Sequence, residues 1–205
     1  MCGIAGYAGN GTSGSLARMS AAIRHRGPDD EGFHEEPGIG LAFVRLSIID
    51  LVGGHQPLSN EDGTVWVLLN GEIYNFQEVR EALLKAGHRF ATRSDTEVIA
   101  HGYEEWGDAC FERFDGMFAI AVWDAKRSRL ILVRDRLGKK PLYWTVKDGD
   151  LWFASELKAL HAAGVVINRI DPVSLGAYFR SDSVPTPRSI FDGVHKLEPA
   201  SAMAW

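Results

Sequence analysis

The chain has 205 residues, 45% hydrophobic and 24% charged, with a formal net charge of -5. This is ordinary globular composition, enough for one large domain, or one domain and a short appendage, around a sizeable core. The acidic balance and the lack of any Lys/Arg-rich block argue against nucleic acid or an anionic membrane as partner. The two cysteines, Cys2 and Cys110, argue against a disulfide framework and for a cytoplasmic location.

No basic-then-apolar leader is visible, and no stretch is long enough to span a bilayer. The seven histidines are scattered without metal-site spacing, so no protein-held metal is expected.

In chain order, Ile4, Ala5 and Tyr7 read as a short strand with Cys2 at its end. Gly9 to Gly14 is a loop that lacks the ending of a phosphate-binding P-loop. A helix follows over 15–23, with Leu16, Met19 and Ile23 on one face, and His25-Arg26-Gly27-Pro28 breaks it. Strand-like runs follow at 31–35, 40–49 and 65–69. Asn75 can cap a helix carrying Phe76, Val79, Leu83 and Leu84, which Gly87 ends.

Ser94-Asp95-Thr96-Glu97 has the form of a capping box opening a further helix. Runs at 117–123, 130–133, 142–146 and 151–154 form an antiparallel-looking series joined by polar turns. A helix over 155–162 and one starting at Asp171-Pro172 close the chain. Two groups of strands with helices between and after them predict an α+β fold with stacked sheets.

Cys2 becomes the first residue if the initiator methionine is removed. It then carries a thiol, with an ordinary pKa of about 8.5, and an α-amine, with one of about 8. The neutral amine can take the thiol proton as attack begins, which is the N-terminal-amine form of an activated nucleophile.

A thiol attacking a carboxamide also needs donors for the oxyanion and groups that hold the substrate in register. Asn70-Gly71 can supply a side-chain and a backbone N–H. The same dipeptide is also the common hairpin turn, although the residues after Gly71 run into a helix and do not return as a paired strand. Arg45, inside an apolar run, suits either a substrate carboxylate or a solvated face. Asp95 suits either a substrate ammonium or the N-terminus of its helix.

Eight strings carry a resemblance. They are Cys2-Gly3-Ile4, Arg24 to Asp29, Arg45-Leu46-Ser47-Ile48-Ile49-Asp50, Gly54-His55-Gln56-Pro57, Asn70 to Asn75, Ser94 to Glu97, Asp115 to Ala119 and Arg134 to Gly138. In that order they resemble the class II glutamine amidotransferase domain of glutamine-hydrolysing asparagine synthetase. One departure is Phe43, at a position that is often histidine in those enzymes.

The resemblance implies a four-layer αββα sandwich of two antiparallel sheets, of the N-terminal-nucleophile hydrolase type. It spans residues 1–165, with 166–205 as an extension or the start of a link to a synthetase domain. It implies hydrolysis of L-glutamine to glutamate and ammonia through a Cys2 thioester. Asn70 and Gly71 would form the oxyanion hole. Arg45 and Asp95 would hold the substrate carboxylate and ammonium, and Leu46, Ser47, Ile48, Ile49 and Glu72 would line the pocket. His25-Arg26-Gly27-Pro28 reads as a structural turn and Arg134-Asp135 as a buried ion pair.

No cofactor is expected in this chain. ATP and magnesium belong to the synthetase domain, whose phosphate loop is absent here. The implied partners are L-glutamine, an ATP-dependent synthetase domain, C-terminal or separate, and a second copy in a homodimer. The apolar end at Ala204-Trp205 reads as a cut chain or one whose partner domain follows. Two other readings stand beside this one. The same glutaminase could serve a sugar-acid or peptide acceptor. If Met1 is retained, the chain would be a non-catalytic glutamine-binding or ammonia-gating module.

Overall fold

The computed structural model describes residues 2–47 and 53–205. Met1, and with it the state of the leading amine, lies outside the described residues, as do the expected pocket residues Ile48 and Ile49.

Two antiparallel sheets form the centre. The first contains β1 (Gly3–Gly9), β2 (Asp30–Glu36), β3 (Gly38–Arg45), β8 (Tyr143–Lys147), β9 (Asp150–Ala154) and β10 (His195–Lys196). Their order is β10-β8-β9-β1-β3-β2, so β1 lies between β9 and β3. The second contains β4 (Leu58–Ser59), β5 (Val65–Ile73), β6 (Gly116–Asp124), β7 (Arg129–Arg134) and β11 (Ala202–Ala204), in the order β11-β7-β6-β5-β4.

Alternation of side chains along each strand divides the apolar residues into three layers. Ile4, Phe43, Leu68, Ala121, Leu132 and Phe153 meet between the sheets. The other face of the first sheet, with Ala5, Tyr7 and Val44, is covered by α1 (Ser15–Ile23) and α4 (Leu157–Ala162) through Met19, Ile23 and Leu160. The other face of the second sheet, with Val67, Leu69, Ile120 and Val122, is covered by α2 (Phe76–Ala86) and α3 (Glu97–Trp106) through Val79, Leu83, Val98 and Ile99. The layers therefore run helix, sheet, sheet, helix, as expected. A fifth helix, α5 (Pro172–Ser181), is capped by the Asp171 carboxylate on Val173 N–H and leaves Val173, Tyr178 and Phe179 exposed.

Several expectations need correction. The strand runs between 117 and 154 form two hairpins, one per sheet: β6 pairs with β7 and β8 with β9. The loop after β7 carries the chain from one sheet to the other. Asn75 does not cap α2. Its side chain bridges Arg113 O at 2.9 Å and Asp115 N at 2.9 Å. The capping box does not form either, because α3 begins at Glu97. The Glu97 carboxylate turns back to accept from Ala91 N, Thr92 N and Thr92 Oγ1, a local alternative to helix capping.

Candidate active site

Cys2 precedes the first residue of β1, and its position follows from pairing on both sides. Gly3 lies opposite Val44 on β3, which brings Cys2 alongside Arg45. On the β9 side, Ser155 N–H donates to Ile4 O at 2.8 Å and Ile4 N–H donates to Ser155 Oγ at 3.0 Å. The Cys2 carbonyl accepts from Arg26 Nε at 2.8 Å, and Arg26 Nη1 pairs with Glu156 Oε1 at 2.9 Å. Burial would raise the Glu156 pKa, but Arg26, Lys158 and His25 around the carboxyl hold it down to about 2. Arg26, expected only as part of a structural turn, thus forms an ion pair and ties the Cys2 backbone to the residue after Ser155.

Arg134 and Asp135 behave otherwise. Arg134 donates to the carbonyls of Gly138, Lys140 and Leu197. Asp135 accepts the backbone N–H groups of Phe118, Leu137, Lys139 and Lys140. The two fix a turn and are not partners of each other. Gly3 is required by the packing around it. A Cβ there would crowd Val44, Ile23 and Arg26, so the glycine serves packing and not substrate access.

A cleft of about 160 Å³ brings together Cys2, Arg45, Leu46, Asn70, Gly71, Glu72 and Asp95. Ser47 is not among its lining residues; its N–H donates to Asp29 Oδ2 at 2.9 Å. The Cys2 thiol is half-buried and donates to Leu46 O at 3.6 Å. Burial raises its pKa, while the nearby Arg45 charge works the other way. The resting group is therefore a thiol, and a base has to take its proton during attack. Asp95 is 5% exposed, and its Oδ2 accepts Ile73 N–H at 3.0 Å. Burial raises its pKa against that hydrogen bond, and the Glu72 charge adds to the rise. Asp95 sits two residues before α3 rather than in its first turn.

The expected oxyanion donors are placed by the register of β5. Gly71 lies opposite Phe118, and Phe118 turns both its N–H and its carbonyl to Asp135 on the far side. In an antiparallel ladder such a pair has both residues' peptide groups facing outward. Leu69 and Ile73 point the same way as Gly71. Leu69 N–H donates to Gln56 Oε1 at 2.7 Å and Ile73 N–H to Asp95 Oδ2. Between them, Gly71 directs its N–H into the cleft. Asn70, on the alternate face, places its carboxamide between the sheets, where it is 0% exposed and contacts Ser155. Asn70-Gly71 is thus the interior of a strand, not a hairpin turn.

Sequence reasoning gave no role to the other lining residues, which include Phe43, Gln56, Thr96, Met117 and Lys140. Gln56 is buried and clamps Leu69 and Thr96 through both ends of its amide. Its only sequence signal was membership of the Gly-His-Gln-Pro string. Among the described residues, His88, His101 and Glu104 bring ligand-type atoms within 4.8 Å of one another. None of the three lines the cleft. His101 Nδ1 hydrogen-bonds Glu104 Oε2 at 3.1 Å, and the group forms a polar network between α3 and His88, just past the end of α2.

A family model described as "Glutamine amidotransferase domain" matches residues 1–205. The chain belongs to this family. Among curated amidotransferase relatives, asparagine synthetase [glutamine-hydrolyzing] 2 of Bacillus subtilis (strain 168) is 48% identical over 167 residues, covering 78% of this chain and 22% of that protein. Asparagine synthetase [glutamine-hydrolyzing] 1 of the same organism is 42% identical over 186 residues, covering 91% of this chain and 29% of that protein.

Among solved structures, a glutamine phosphoribosylpyrophosphate amidotransferase from B. subtilis, complexed with ADP and GMP, superposes with a TM-score of 0.66 at 20% identity. It covers 80% of this chain and 44% of that one. That likeness shows the amidotransferase fold. The chain spans 22% to 29% of the length of these two curated relatives. The resemblance read from eight short strings is thereby borne out at the level of the family, and both of these curated relatives are asparagine synthetases.

Proposed function

We propose that this amidotransferase domain hydrolyses L-glutamine to L-glutamate and ammonia, and that it does so as the glutaminase part of an asparagine synthetase. The observation that carries the proposal is the meeting of Cys2, Arg45, Asn70, Gly71 and Asp95, far apart in sequence, around one cleft.

In this reading Met1 is removed. Arg45 binds the α-carboxylate of glutamine and Asp95 its α-ammonium, which fixes the side-chain amide over Cys2. The Cys2 α-amine takes the thiol proton as sulfur bonds to the amide carbon. The carbonyl oxygen becomes an oxyanion held by Asn70 and Gly71 N–H groups. Collapse expels ammonia, which leaves with the proton the amine had taken, and a thioester remains. Water, deprotonated by the same amine, cleaves the thioester to glutamate and returns the thiol.

The names of the relatives support aspartate as the final ammonia acceptor. Their greater length supports an ATP- and magnesium-dependent synthetase part, C-terminal or separate, and the exposed apolar face of α5 is consistent with further packing. No helix among the described residues is long and apolar enough to cross a membrane, and with two free cysteines we place the protein in the cytoplasm.

Glutamate release, measured after mass spectrometry has verified an N-terminal Cys2, tests the proposal. Cys2→Ala is expected to reduce release to background. A glutamine-derived electrophile is expected to label Cys2 alone, since Cys110 is buried and burial drives its pKa far up. Labelling at Cys110 with Cys2 untouched would defeat the assignment.

A further inference from the structure

The Asn70 carboxamide and the Ser155 hydroxyl are both 0% exposed. As placed, Asn70 Nδ2 donates to Ser155 Oγ at 3.3 Å, and Asn70 Oδ1 is buried without a partner. Ser155 Oγ also accepts Ile4 N–H at 3.0 Å. A serine hydroxyl has one proton and two acceptor lone pairs. Two incoming N–H groups occupy both lone pairs and give the proton nowhere to go. An unused donor and an unused acceptor thus sit on neighbouring groups.

Turning the amide by 180° matches them. Ser155 O–H then donates to Asn70 Oδ1 and still accepts Ile4 N–H, and the Asn70 NH2 takes the place of the orphaned oxygen. The two ends of a carboxamide have nearly the same shape and are distinguished by their hydrogen bonds, so the turn needs no repacking. A donor left open beside the cleft suits a developing oxyanion, whereas an amide oxygen there would repel it.

We propose that Ser155 is a positioning residue of the glutaminase reaction. Its hydroxyl, anchored by Ile4 N–H, fixes the Asn70 carboxamide with the NH2 end toward the cleft. It thereby ties the oxyanion donor on one sheet to the strand that carries Cys2 on the other. This rests on the assignment of Asn70 to the oxyanion hole.

The test uses the full chain with a verified N-terminal Cys2. It measures glutamine kcat and KM for Ser155→Ala, Asn70→Ala and the double variant, together with the rate of Cys2 alkylation by iodoacetamide, which builds no oxyanion. Ser155→Ala is expected to lower kcat by roughly 10- to 100-fold, with KM within about twofold and alkylation unchanged. Asn70→Ala is expected to lower kcat by about 10²–10³. The double variant is expected to match Asn70→Ala within about twofold, because Ser155 acts only through Asn70.

An unchanged kcat in Ser155→Ala overturns the proposal. So do losses that multiply in the double variant, or an alkylation rate that falls in step with kcat. Full turnover in Asn70→Ala instead overturns the underlying oxyanion assignment. If Ser155→Ala does not fold, Ser155→Cys keeps the shape and supplies only a weak donor. The same kcat-only loss is expected of it, and an unchanged kcat is equally fatal.

Discussion

At the scale of single residues, the site exchanges stability for binding. Asp95 is held among buried groups with Ile73 N–H as a compensating donor, and its pKa is raised chiefly by burial. The folded state therefore binds the Asp95 proton more tightly than the unfolded state does. The buried charge destabilises the fold at neutral pH, and this cost relaxes as pH falls through the raised folded pKa toward the ordinary value of about 3.9. Asp95→Asn keeps an acceptor for Ile73 N–H and removes the buried charge. Its thermal midpoint at pH 7 is expected to equal or exceed that of the parent, while glutamine KM rises at least about tenfold. Scanning calorimetry and steady-state kinetics on one preparation check both, and a KM equal to the parent's removes Asp95 from the substrate site. The acid limb of glutamine binding in the parent is expected to lie above the ordinary aspartate range. Little of this was legible in the sequence. Ser94 to Glu97 has a helix-start pattern, and only the arrival of Ile73 on a neighbouring strand turns Asp95 away from that role.

At the scale of elements, β5 decides the geometry of the proposed oxyanion site. It continues through Asn70-Gly71 to Ile73, pairing with β6 throughout. A Cβ on residue 71 would overlap the Met117 carbonyl oxygen of β6. Gly71→Ala is therefore expected to push β5 off β6, at a cost of about 1–3 kcal/mol or roughly 3–10 °C in thermal midpoint for a chain of this size. It is also expected to lose glutaminase activity while Cys2 stays reactive to iodoacetamide. Denaturation and alkylation measurements separate the two effects, and a midpoint equal to the parent's would show that the strands tolerate the methyl group. The turn alternative for Asn-Gly was a sound local inference, because the dipeptide by itself favours a hairpin. The pairing partner is more than forty residues away, so no local pattern could exclude the turn.

At the scale of the whole molecule, the last forty residues close both sheets. β10 covers the edge of β8 and β11 the edge of β7. Leu130 and Trp205 also exchange backbone hydrogen bonds at 3.1 and 2.9 Å. Uncovered strand edges template aggregation. A chain truncated after Val165 is expected to show a lower thermal midpoint and a greater tendency to aggregate than the full chain. Calorimetry and size-exclusion chromatography read this out, and equal midpoints would mark 166–205 as dispensable to the core.

The amino-acid sequence by itself determined most of the elements, the two-sheet class and the family, and pointed to Cys2 as the candidate nucleophile, because each is carried by local periodicity or by contiguous strings. It also named Arg45, Asn70, Gly71 and Asp95. Only the tertiary structure decided that these residues share one cleft with Cys2, that Ser47 faces elsewhere, and that Gln56 and Ser155 hold the two strands of the site. Those facts depend on cross-sheet register and on which buried donor meets which acceptor. Such pairings join residues distant along the chain and leave no periodic mark in it.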